Sequence, residues 1–203
     1  MGSTGVKPGV IKIASGDPPT ELERRVIGAA ASVAAETGLP VISHCENAAG
    51  WDVQLDILSE HGVDPGRCVI GHQDQAVSPA QLVSIAERGA FAGVDRIGYE
   101  VLAPDEQRVR LIQTMLEAGQ GDRVCLSMDH MCCLRSPRFP YAVPEGLREA
   151  FELSMRAQVE DQLFRRPHTY LFTDFVPRLE VAGVDRAAID TILTDNPRRL
   201  FGG

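Results

Sequence analysis

Residues 40–44 read Pro-Val-Ile-Ser-His, residues 67–72 read Arg-Cys-Val-Ile-Gly-His, and between them runs an amphipathic stretch that stops at Gly62. Both short runs are β-branched and apolar without polar alternation, the pattern of strands covered on both faces, and both close on a histidine. Working outward, the same unit recurs as Val-Ile-Lys-Ile-Ala from Val10, Ala-Phe-Ala-Gly-Val-Asp from Ala90 and Arg-Val-Cys-Leu-Ser-Met-Asp from Arg123. Each run is followed by a longer helical pattern, so the spacing predicts a parallel α/β architecture. Pro18-Pro19-Thr20 opens a helix over 21–37, Gly38, Gly62, Gly89 and Gly119 mark helix ends, and Ser78-Pro79 and Pro104 mark two further starts.

After the fifth run the rhythm breaks. Residues 130–145 hold Pro137, Pro140 and Pro144 and predict a long irregular loop, followed by helices over 145–165, 168–182 and 185–193 and a short turn at Asn196-Pro197. No linker rich in Gly, Ser or Pro divides the chain, so residues 1–203 are expected to form a single domain. Its net charge of −8 is the wrong sign for gripping phosphate backbones, which excludes nucleic acid as the expected partner. No apolar run approaches the roughly 20 residues of a membrane span, and no apolar leader follows Met1. A cytoplasmic protein is expected, with Cys45, Cys68, Cys125, Cys132 and Cys133 as reduced, mostly buried thiols.

The polar residues in or at the ends of these runs are Lys12, His44, His72, Asp95 and Asp129. In a parallel βα sheet the carboxyl ends of the strands share one face, so groups there converge although they are far apart in sequence. Neutral imidazoles with a carboxylate suit zinc, manganese, cobalt or iron, and such an ion makes hydroxide available near neutral pH. Two other readings stay open on residue types alone. A buried lysine also fits a Schiff-base lyase using Lys12, and five βα units also fit a non-catalytic α/β binding domain of the doubly wound kind.

The ordered set of motifs around Lys12, His44, His72, Asp95 and Asp129, the last in Leu-Ser-Met-Asp-His-Met-Cys-Cys, resembles the phosphotriesterase family of the amidohydrolase superfamily. Asp95-Arg96 and Cys132-Cys133 bring it closer to the lactonase-like branch. The resemblance implies a TIM-type (β/α) barrel and a metal-dependent hydrolase acting on lactones, esters or phosphotriesters. It also implies two divalent metal ions, zinc first among them with manganese, cobalt or iron as alternatives, bridged by a carboxylated Lys12. His44 and His72 then match the ligands of the more exposed metal. Asp129 matches the catalytic aspartate, a ligand of the more buried metal that takes a proton from the hydroxide. Arg96 and Tyr99 match positions beside a small-molecule substrate, with Tyr99 at the mouth of the site and the 130–145 loop shaping the pocket. One departure is Gln75, which stands where relatives carry a carboxylate, with Asp74 adjacent.

A second departure concerns what precedes Lys12. The family's first strand carries a His-x-His pair, which occurs nowhere in this sequence. Lys12 matches the fourth strand, so the chain is expected to supply about five of the eight β/α units of a barrel. The more buried metal is then expected to be weakly held or absent, and turnover by this chain alone low. A second copy of the chain or a missing N-terminal half is the expected protein partner.

Overall fold

In the computed structural model, residues 5–76, 78–130, 162 and 165–202 are described. Five strands, β1 (Ile11–Ser15), β2 (Val41–Cys45), β3 (Cys68–Ile70), β4 (Phe91–Val94) and β5 (Val124–Leu126), form one sheet in the order β1-β2-β3-β4-β5. Every pairing is parallel. Between the strands run α1 (Glu21–Thr37), α2 (Trp51–Glu60), α3 (Ala80–Glu87) and α4 (Asp105–Glu117). A doubly wound sheet reverses its strand order at a switch point. Here the order never reverses, which is the arc of a (β/α) barrel and removes the doubly wound alternative.

The helix boundaries have local causes. Thr20 accepts from the Glu23 amide while Glu23 reaches back to the Thr20 amide, a capping box that starts α1, and Gly38 ends the helix in the left-handed region at φ 68°. At α3 the expected cap shifts by one residue. Pro79 occupies the N-cap position, and Ser78 Oγ accepts from the Ala80 amide at 3.3 Å. Beyond β5 the segment expected as one helix over 168–182 begins with a π-helical turn at Leu171–Phe175 and continues as α5 (Val176–Val181). The segment expected over 185–193 is α6 (Arg186–Asp190) followed by a π-helical turn at Thr191–Asp195, and α7 (Asn196–Phe201) opens at the expected Asn196-Pro197. Most of the expected 130–145 loop and 145–165 helix lies outside the described residues, together with Cys132 and Cys133.

The sheet has two different faces. Ile13, Val41, Ile70, Ala92, Val94 and Val124 join the main core with Ile27, Leu55, Leu58, Leu82, Ile85 and Ile112 from the helices. Alternate residues point the other way, as strand geometry requires. There Val69 and Phe91 pack with Leu200 of α7, with Cys125 against them. Asn196 secures α7 to this end by donating through Nδ2 to the carbonyls of Gly121 at 3.0 Å and Val124 at 2.7 Å. On β1 this face is uncovered, leaving Lys12 and Ala14 exposed. No helix among the described residues is long and apolar enough to cross a membrane.

At the carboxyl end of the sheet, a buried ionic hub ties two loops together. Arg108 of α4 has no exposed surface; its Nε donates to Asp74 Oδ2 at 2.7 Å and its Nη1 to Asp105 Oδ1 at 2.9 Å. Nη1 also donates to the Ala103 carbonyl and Nη2 to the Tyr99 carbonyl. Asp105 in turn accepts from the Gly98 amide at 2.8 Å and from Tyr170 Oη at 2.9 Å. The loop after β3 and the loop after β4 therefore meet on one guanidinium, and Tyr170, at the start of the C-terminal helices, joins them through Asp105.

Arg108→Leu leaves two buried carboxylates uncompensated and is expected to cost about 3–5 kcal/mol of unfolding free energy. Arg108→Lys, which keeps the charge and loses the fork, is expected to cost less; urea unfolding of both variants checks this. Burial pushes the thiols of Cys45 to about 11 and of Cys68 to about 12. Mass mapping after treatment with a thiol reagent at pH 8 is expected to find both unmodified in the folded protein and modified in denaturant.

Candidate metal centre

His44 lies near the end of β2, and Gln54 holds its backbone in place. The buried Gln54 amide donates from Nε2 to the His44 carbonyl at 3.0 Å and to Ser15 Oγ at 2.7 Å, joining α2, β1 and β2. His72 lies two residues beyond β3 in the left-handed region at φ 62°. A non-glycine residue there is strained and persists only when its surroundings fix it. Asp95 supplies that fixing, accepting from the His72 amide at 2.9 and 3.0 Å and from His72 Nδ1 at 2.8 Å. Gly71 permits the approach, because a Cβ there would lie 2.3 Å from the Ser43 carbonyl oxygen and 2.8 Å from Asp95 Oδ2.

The two imidazoles then face each other edge to face, with His72 Nε2 and His44 Nδ1 only 2.7 Å apart. The outer nitrogens both face carboxylates: His72 Nδ1 faces Asp95, and His44 Nε2 faces Glu46 Oε2 at 3.0 Å. A carboxylate only accepts, so it draws the proton of a neutral imidazole to the outer nitrogen. The two inner nitrogens lie at hydrogen-bonding distance, where they can share one proton, and loss of that proton leaves two lone pairs on the same side for a cation. Burial, helped by His72 and Arg96 and opposed by Glu46, holds His44 below the ordinary histidine pKa and so favours its neutral, ligating form. This donor set fits a divalent metal ion of the kind that takes imidazole nitrogen.

The other expected ligands lie on the same rim but do not join the pair. Lys12 Nζ donates to the Ser43 carbonyl at 3.1 Å. Asp129 stands three residues past β5 at φ 45° and accepts from Arg96 Nε at 3.3 Å, its side chain 45% exposed. Among the described residues, no three His, Cys, Asp or Glu side chains come together in a group able to hold a metal ion. The four expected ligands are thus a facing histidine pair flanked by a lysine and an aspartate that bind protein partners.

Arg96 is buried and links two loops, donating through Nη1 to Gln75 Oε1 as well as to Asp129. Where a carboxylate would neutralise Arg96, the Gln75 amide orients it and leaves its charge facing Asp129. The adjacent Asp74 is committed to Arg108. Tyr99 corrects an expectation: it is 3% exposed, packed inside and not at an open mouth. Its backbone carbonyl is held by Arg108. Sequence reasoning placed Asp95 on the rim without assigning it the task of orienting His72, and it missed Glu46 and Arg108. A carboxylate two residues past His44 was the available signal for Glu46.

Known proteins resemble this chain in sequence and in structure. The model of the phosphotriesterase family matches residues 1–201. A phosphotriesterase homology protein of Mycobacterium tuberculosis is 33% identical over 205 residues, which cover 99% of this chain and 57% of that protein. An aryldialkylphosphatase of Saccharolobus solfataricus is 32% identical over 198 residues, covering 96% and 58% of the two chains. In structure, a mutant of a lactonase from Deinococcus radiodurans, described as like phosphotriesterases, superposes with a TM-score of 0.81 at 32% identity, covering all of this chain and 60% of that one. The chain therefore spans less than two thirds of these proteins, matching them along nearly its whole length. With the family model and the rim geometry in agreement, the chain belongs to the phosphotriesterase family.

Proposed function

We propose that this chain carries the larger part of a metal-dependent hydrolase of lactones, esters or phosphotriesters. The observation that carries this reading is the His44–His72 pair, two inner nitrogens 2.7 Å apart with a carboxylate behind each ring. His44 and His72 would hold one divalent ion, zinc first and manganese, cobalt or iron as alternatives. Lys12, as a carbamate, would be shared between that ion and a second, more weakly held one on Asp129. When bound, such ions polarise a carbonyl or phosphoryl oxygen and make hydroxide available at neutral pH. The protein's own groups do the rest. Asp95 and Glu46 orient the imidazoles, burial favours the neutral form of His44, Asp129 accepts a proton, and Arg96 holds Asp129 in position while facing the substrate.

The reading includes a partner. β1 pairs only with β2 among the described residues, and outward along α1 the side chains of Leu22, Val26 and Val33 are exposed at helical spacing. Three further β/α units, from another chain or another segment, would pair with β1 and cover both surfaces; a second copy of this chain is the other candidate. Free thiols at Cys45, Cys68 and Cys125 accord with a cytoplasmic setting.

The test is hydrolysis of a lactone and a phosphotriester by the chain alone and together with an N-terminal segment of the family. Activity is expected to be low alone, higher with the segment, abolished by a chelator and restored by zinc or cobalt. Asp129→Asn is expected to lower kcat about 100-fold or more. Turnover indifferent to chelation, or substrate trapped on Lys12 by borohydride, overturns the reading.

A further inference from the structure

Arg166 is 8% exposed, and its Nη2 donates to the carbonyl of Met128, the residue before Asp129, at 3.0 Å. Its guanidinium carbon lies 5.4 Å from the centre of the Tyr170 ring. The other two nitrogens, Nε and Nη1, are buried and have no hydrogen-bond partner. Leaving charged donors buried and unmatched is costly, more so than for neutral groups. Folded proteins keep such groups where something else satisfies them.

Arg166 lines a cavity of about 410 Å³ together with Gly98, Glu100, Tyr170 and Asp174. The two acids of that lining are already engaged. Glu100 Oε1 accepts from the Asp105 amide at 3.3 Å, and Asp174 Oδ2 accepts from Thr173 Oγ1 at 2.6 Å. Gly98, at φ +76°, keeps the approach open, because a Cβ there would lie 2.5 Å from Arg166 Nη1 and 2.7 Å from Tyr170 Cε1. The wall of the cavity thus holds a fixed cation with two buried, unpartnered donors, and Glu100 and Asp174 beside it each accept one hydrogen bond from other groups of the protein. A small oxyanion has the complementary charge and acceptors.

We propose that Arg166 anchors a carboxylate on the substrate, so that the ester, lactone or phosphotriester cleaved carries an acid group remote from the bond that breaks. The assignment to the substrate rests on the hydrolase reading. Anion binding by Arg166 does not, and it is measured on the metal-free protein without turnover. In protein labelled with ¹⁵N-arginine, the Arg166 Nε–Hε resonance is followed while sodium acetate is added against sodium chloride of equal ionic strength. A saturable shift specific to acetate is expected, and Arg166→Met is expected to weaken acetate binding by about tenfold or more. Arg166→Lys, which keeps the charge without the Nε donor, is expected to retain part of it and serves if the methionine variant does not fold. An unmoved Arg166 resonance, or equal acetate affinity in the methionine and wild-type proteins, overturns the proposal. Acetate bound at Arg166 in a chain that shows no metal-dependent hydrolysis, even with the complementing segment, keeps the anion site and overturns the hydrolase reading instead.

Discussion

Two imidazole nitrogens held 2.7 Å apart, within hydrogen-bonding distance, are the constraint around which the carboxyl end of this sheet is arranged. Imidazoles in water do not take up this arrangement. It exists because each ring is gripped from behind, His72 by Asp95 and His44 by Glu46, and because the backbone of each is fixed separately. Gln54 holds the His44 carbonyl, and Asp95 holds the His72 amide in its left-handed conformation. The strain is local, and the hydrogen bonds that offset it come from two strand ends and from α2.

A second tier of polar contacts lies behind the first. Asp129 leans on Arg96, Arg96 on Gln75, and Asp74 beside Gln75 on the buried Arg108. Buried charges of this kind contribute little net stability when intact and cost much when one partner is removed. Their value here is positional: loops after β3 and β4, which carry His72 and Arg96, share one guanidinium and so keep their spacing. The apolar core on the helix side supplies the bulk of the folding energy, and the small Val69, Phe91 and Leu200 cluster closes the opposite face at its far end.

Much of this was legible in the sequence, for a physical reason. Strands covered on both faces leave continuous β-branched runs, and all five runs became strands. Residues at their ends converged as parallel topology demands, bringing His44 and His72 into contact. Strand order was not legible in the βα rhythm alone, which is compatible with both a barrel arc and a doubly wound sheet; the motif resemblance implied the barrel, and the pairing bears it out. Arg108 was hidden because Asp105 and Arg108 at i and i+3 look like an ordinary surface pair on a helix. Tyr99 was misplaced because nothing in a chain of letters reveals that the loop after β4 folds inward onto Arg108. The conformations of His72 and Asp129, both at positive φ, likewise depend on partners distant in sequence.

The account stands on the claim that His44 and His72 offer their inner nitrogens to one cation. Long-range ¹H–¹⁵N spectra of the histidine side chains during a zinc titration test it most directly. The account predicts that His72 Nε2 and His44 Nδ1 move together, with their outer nitrogens still protonated, and that His61, which bonds the Ile57 carbonyl on α2, does not respond. Zinc that leaves His44 and His72 unmoved, or binds through their outer nitrogens, would contradict it.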